Sequence, residues 1–72
     1  MKKIHVDSSY IDYIAYNKDD ELIEIKYLNG NLYYYYKIPK EVYEEIIYSD
    51  DIEKSSHEIL IEDDKYEYEK IL

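Results

Sequence analysis

The chain has 72 residues, with eighteen Asp and Glu against nine Lys and no Arg (formal net charge −9), and twelve Tyr but no Phe, Trp or Cys. That length makes one small domain able to bury only about 60% of its unfolded surface. Without Cys there are neither disulfides nor thiolate metal sites. The acidic excess and the absence of Arg argue against duplex DNA and anionic membranes as partners.

No uncharged stretch approaches the roughly 20 residues of a membrane span, and Met1-Lys2-Lys3 leads into no apolar signal-peptide core, so a cytoplasmic location is expected. Biased codon usage does not explain the aromatics, because Phe codons are as AT-rich as Tyr codons. Tyr is used for its hydroxyl.

In chain order, Ser8 to Asn17 is rich in Ile and Tyr and reads as a first strand. Asn17-Lys18-Asp19-Asp20 is a polar turn. Leu22 to Leu28 alternates, with Ile23, Ile25 and Tyr27 on one face and Glu24 and Lys26 on the other. Asn29-Gly30 is the strongest turn signal, and Leu32 to Ile38 forms a third strand, antiparallel to the second.

Tyr33 to Tyr36 lie inside that third strand. Successive side chains alternate in an extended chain, so the run splits into two interleaved pairs. A two-residue turn pairs Ile25 with Tyr34 and sends Tyr34 and Tyr36 to the apolar face. A three-residue loop, Leu28-Asn29-Gly30 with Gly30 left-handed, pairs Ile25 with Tyr33 and sends Tyr33 and Tyr35 there. The residue pattern leaves both registers open.

Helix follows. Pro39 suits a first helical position and Glu41 the positive end of the helix dipole. Val42, Tyr43, Ile46 and Ile47 form an apolar stripe, with Glu41, Glu44 and Glu45 elsewhere, and Ser49-Asp50-Asp51 ends the helix. Ser55-Ser56-His57-Glu58 reads as a capping box opening a second, shorter helix, with a strand through Ile59-Leu60-Ile61 as the alternative. In the tail, Tyr66, Tyr68, Ile71 and Leu72 are expected to lie back on the domain. The fold class is α+β: a three-stranded antiparallel meander with one or two short C-terminal helices on one face, all within a single domain of residues 1–72.

The matching residues run from Ser8-Ser9 and Ile11 through Tyr16, Ile23, Ile25, Tyr27, Gly30, Tyr33-x-Tyr35 and Ile38-Pro39 to Val42-Tyr43 and Ile46-Ile47. On these residues the chain resembles the KTSC domain, a module found at the C-terminus of some lysyl-tRNA synthetases and alone in small bacterial and phage proteins. The likeness covers roughly residues 8–50, and the G-x-x-Y-x-Y-x-x-I-P stretch from Gly30 to Pro39 is its specific part. The resemblance implies the three-residue loop, with Tyr33 and Tyr35 inside and Tyr34 and Tyr36 free. It also implies RNA binding, the role usually suggested for the family. The C-terminal third departs from the family pattern: Ser49 to Asp64 has no Gly, no aromatic pair and no Arg.

Candidate chemistry is sparse. Ser8, Ser9, Ser55 and Ser56 lack a nucleophile-elbow context, and His5 and His57 lack zinc-ligand spacing. The carboxylate clusters lack the alternating ligands and Gly of an EF-hand loop. No set fills the nucleophile, base and stabiliser roles, so the chain is read as no enzyme, with no cofactor and no metal.

The reading is a small acidic binding protein, of the kind phages and mobile elements use to inhibit a nucleic-acid-handling or defence protein. Its expected partner is a protein with a basic surface. Tyr34 and Tyr36 form the contact centre, and Glu24, Lys26, Lys37, Glu41, Glu44 and Glu45 the polar surround. The alternatives are a nucleotide or RNA binder that stacks bases on Tyr, in an oligomer where needed, and a structural accessory domain.

Overall fold

The computed structural model describes residues 2–72. Its frame is one antiparallel sheet of five strands in sequence order: β1 (Lys3–His5), β2 (Ile11–Asn17), β3 (Leu22–Tyr27), β4 (Leu32–Tyr35) and β5 (Tyr68–Lys70). The chain between β4 and β5 forms α1 (Lys40–Ile47), then α2 (Ile52–Ser56) running into a π-helical turn (His57–Glu62). The α+β class and the single helical layer agree with expectation; the three-stranded sheet does not. Two edge strands of three residues each frame the expected meander.

The hairpin between β3 and β4 takes the longer loop. Ile25 pairs with Tyr33, Ile23 with Tyr35, and Glu24 with Tyr34. Tyr27 N–H donates to Asn31 O and Gly30 N–H to Tyr27 O, which closes Leu28-Asn29-Gly30 as a three-residue loop. Gly30 sits at φ +97°, where an L side chain is strained, and a Cβ there would meet nothing within 4 Å. Gly30→Ala therefore carries a conformational cost with no clash, expected at about 1 kcal/mol. Chemical denaturation of the two proteins checks this, and an unchanged midpoint counts against it.

This register sorts the side chains into two faces. Ile14, Ile23, Ile25 and Tyr35 point inward and join Ile38, Tyr43, Ile46 and Leu60 of the helical side in one core. Tyr16 fastens α1 to the sheet: its ring stacks on Tyr43 at 4.7 Å and its hydroxyl donates to Ile38 O at 2.6 Å.

Several local boundaries differ from the sequence reading. The expected first strand begins at Ile11 instead of Ser8, because the Ser8 Oγ accepts from the N–H groups of Tyr10 and Ile11 and turns the chain between β1 and β2. A bulge at Asp12 lets Ile11 oppose Tyr27 and Tyr13 oppose Lys26. The third strand stops at Tyr35. Lys37 then turns left-handed at φ 56°, and Ile38 leaves the ladder to donate to Glu21 O. Pro39 stands one place ahead of the first helical residue.

The second helix opens at Asp51, whose carboxylate accepts from Lys54 N–H, and Ser55-Ser56-His57-Glu58 is no capping box. Ser56 lies buried inside the helix, with its hydroxyl donating to Glu53 O. Ile59-Leu60-Ile61 is helical, and Asp63 N–H reaches back five residues to Glu58 O.

Candidate functional site

Helices cover the inner face of the sheet, and among the described residues no element covers the outer one. On that open face Lys3 and His5 come from β1, Tyr13 and Ala15 from β2, Leu22, Glu24 and Lys26 from β3, Leu32 and Tyr34 from β4, and Glu69 from β5. Tyr36, just beyond β4, joins them: its ring meets that of Tyr34 edge-to-face at 6.5 Å. Side chains shelter one another here. Tyr13, Ala15 and Leu22 are buried although they lie outside the main core, while Tyr34 and Tyr36 are half-buried.

Tyr13 is the hub of this face. Lys3 Nζ lies 4.6 Å over its ring, and the His5 imidazole meets its edge at 6.2 Å. Its hydroxyl donates to Glu24 Oε2 at 2.5 Å; that bond and burial push the phenol up to about 12. Tyr36 repeats the pattern at the other end, where its hydroxyl donates to Glu69 Oε1 at 2.7 Å and is raised by that contact. Two of the face's phenolic protons are thus held by carboxylates of the face. It offers a partner aromatic edge, carboxylate oxygen and apolar surface, together with the ammonium groups of Lys3 and Lys26.

The expected site residues divide between the two sides of the molecule. Tyr34, Tyr36, Glu24 and Lys26 are brought together on the open face. Glu41 and Glu45 are exposed and Glu44 half-buried on α1, in the layer against the opposite face. Lys37 is exposed at the end of β4. Tyr13, Leu22, Leu32 and Glu69 were missed by sequence reasoning. For Tyr13 the signal was its alternation with Ile14 in β2, obscured by the Asp12 bulge. Glu69 had no signal until β5 was seen to pair with β4.

Two tyrosine-lined clefts flank the helices. One, of about 360 Å³, collects Lys2, Lys18 and Lys40 around Tyr16, Tyr43 and Tyr48. The other, of about 410 Å³, is lined by Tyr27, Tyr33, Tyr35 and Tyr68 beside the π-helical turn. The histidines stand apart, His5 Nδ1 at 3.4 Å from Asp12 and His57 Nε2 at 3.3 Å from Glu62. Among the described residues no helix is long and apolar enough to cross a membrane.

A five-stranded meander with helices on one face, a glycine-closed β3–β4 hairpin and alternating Tyr on β4 defines a small α+β domain class. The family model of the KTSC domain matches residues 7–59. The chain belongs to the KTSC domain family. Its fold is similar to the crystal structure of a KTSC domain protein from Yersinia pestis, with a TM-score of 0.84 over 99% of this chain and 97% of that one at 22% identity. No curated protein sequence matches the chain.

Proposed function

We propose that this KTSC domain is a non-catalytic binding module that presents the open sheet face to a protein partner with a basic surface. The observation that carries this reading is the uncovered face itself, with Tyr13 as its hub, the Tyr34–Tyr36 pair toward its β5 side, and the Tyr13 and Tyr36 hydroxyls committed to Glu24 and Glu69. Lysine and arginine side chains of a partner fit such a surface: their alkyl stems and cationic ends meet aromatic rings, and their N–H groups meet carboxylate oxygens. A few aromatic anchors such as these dominate affinity at many interfaces. The overall charge of −9 speeds encounter with a basic partner. A phage-type inhibitor of a nucleic-acid-handling or defence protein is a module of this kind.

The test is to capture a partner from a bacterial host and measure its affinity for the wild type, Tyr34→Ala and Glu69→Lys. Loss of about 10-fold or more with either variant, and weakening as salt rises, is the expected result. A partner that binds both variants as tightly as the wild type overturns the assignment of the face.

The Lys2, Lys18 and Lys40 cleft favours a second reading, as a binder of a small nucleotide. It gathers three of the nine lysines beside exposed Tyr48, giving phosphate contacts and a stacking ring in one place. A nucleotide that raises the melting temperature of the wild type but not of Lys40→Ala selects this reading over the first.

A further inference from the structure

We propose that the tyrosine-lined cleft beneath the π-helical turn is a binding site for a small organic cation of the trimethylammonium class. The cleft lies on the helical side of the sheet, opposite the open face, and its volume of about 410 Å³ is that of a small-molecule site. Strand pairing builds its aromatic wall. Tyr35 opposes Tyr68 across β4 and β5, Tyr33 sits two residues earlier on the same side, and Tyr27 lies beside Tyr33 at the end of β3. The Tyr27 and Tyr33 rings are 5.6 Å apart at 89°, Tyr33 and Tyr68 6.3 Å apart at 51°, and Tyr35 and Tyr68 5.8 Å apart at 34°. Leu60 of the π-helical turn closes the floor.

This geometry selects the ligand by shape. Tyr33 and Tyr35 come nearest to parallel, at 29° with centroids 6.4 Å apart, and the rings already pack on one another, which leaves no open slot for a flat base. Tyr27 and Tyr68, at 89° and 51° to Tyr33, turn this wall into a corner, where a compact, rounded cation is held by π-density from several directions at once.

Charge selects it again. Among the described residues lining the cleft, Asp64 carries the sole formal charge, set at the mouth where the chain leaves the π-helical turn in a left-handed conformation at φ 51°. The lining contains no lysine to oppose a cation, and Lys70, opposite Tyr33 on β5, stays outside it. At the other end stand Asn29 and Asn31 of the hairpin loop. Their amides suit a hydroxyl or carbonyl on a short tether from the ammonium group, which favours a free small molecule.

Calorimetric titration of the whole chain with choline and with its neutral carbon isostere, dimethylbutanol, tests the site. Choline is expected to bind about 10-fold more tightly than the isostere. Tyr68→Ala is expected to weaken choline about 10-fold and Asp64→Asn about 3-fold. Both residues are exposed, so circular dichroism of the variants is expected to match the wild type. Equal affinity for choline and isostere, no binding of choline, or variants that bind as the wild type does would each overturn the proposal. So would a trimethyllysine peptide that binds far more tightly than choline, which assigns the cleft to a protein, or a preference for adenosine monophosphate, which assigns it to a base.

Discussion

Tyr35→Ala leaves the domain close to unfolding at 25 °C, while Tyr34→Ala, one residue away, barely changes its stability. Tyr35 is 3% exposed and packs in the core with Ile23, Ile25 and Leu60. Truncating a buried aromatic costs about 3–5 kcal/mol, through lost transfer energy and the cavity left behind. A domain of this length has roughly 4–11 kcal/mol in total. The loss is thus a large share of the whole, and a fall of about 15–30 °C in the melting temperature is expected. Tyr34 lies half-buried on the open face between Glu24 and Glu69. Its truncation removes cross-strand contacts worth about 1 kcal/mol or less. Urea denaturation of the two variants side by side measures both. Equal losses would mean that the β3–β4 register does not divide the tyrosines as described.

The second large effect is alkaline unfolding. Burial raises the hydroxyls of Tyr35, Tyr43, Tyr16 and Tyr27, and for Tyr35 the neighbouring Tyr27 hydroxyl adds to it. Tyr13 is raised to about 12, first by its hydrogen bond to Glu24 and then by burial. In the unfolded chain all of them ionise near pH 10. Below about pH 10 both states hold these protons, so this contribution to stability is fully present. Above it the unfolded state loses protons first, and stability falls with each further unit. The Tyr13 contribution is spent by about pH 12, and the others steepen the fall because they act together. The tyrosinate absorbance of these buried tyrosines and far-ultraviolet circular dichroism are therefore expected to change together in one cooperative step above about pH 10, with a shallower dependence in Tyr13→Phe. Full ionisation of the tyrosines with the sheet intact would contradict this.

The family relationship and the fold do not cover the same residues. The KTSC domain model ends at residue 59, whereas the structural likeness to the Yersinia pestis protein extends over 99% of the chain. The last residues therefore complete the fold beyond the stretch that the family model matches. Their role in β5 explains how. Leu32 O accepts from Ile71 N–H and Tyr36 N–H donates to Glu67 O, contacts of main chain that ask little of side-chain identity.

The same reason decides how much of the architecture is legible in the residues. β2, β3 and β4 announce themselves because one face of each must be apolar, and that requirement writes alternation into Ile14, Ile23, Ile25, Tyr33 and Tyr35. The stripe of α1 is legible for the same cause. β1 and β5 have only three residues each; β5 is wholly exposed and β1 turns only Ile4 toward the core, too little for a legible alternation. The second helix was misplaced by a few residues because Ser55-Ser56 mimics a cap, while Asp51, four residues earlier, makes the hydrogen bond.

Of the candidate site, the outward-facing Tyr pair was legible once the hairpin loop length was set, but its neighbours were not. By itself the amino-acid sequence determined the class of fold, the acidic surface, the β3–β4 hairpin and the presence of two interleaved tyrosine pairs, because burial and turn geometry constrain residue types locally. Tertiary structure alone decided that Glu24 and Glu69 would hold the Tyr13 and Tyr36 protons. It also placed Glu41, Glu44 and Glu45 away from Tyr34, and used Tyr68 to complete a cleft with Tyr33 and Tyr35. Those outcomes depend on which strands become neighbours, and strands far apart in the chain are joined by main-chain hydrogen bonds that no residue type encodes.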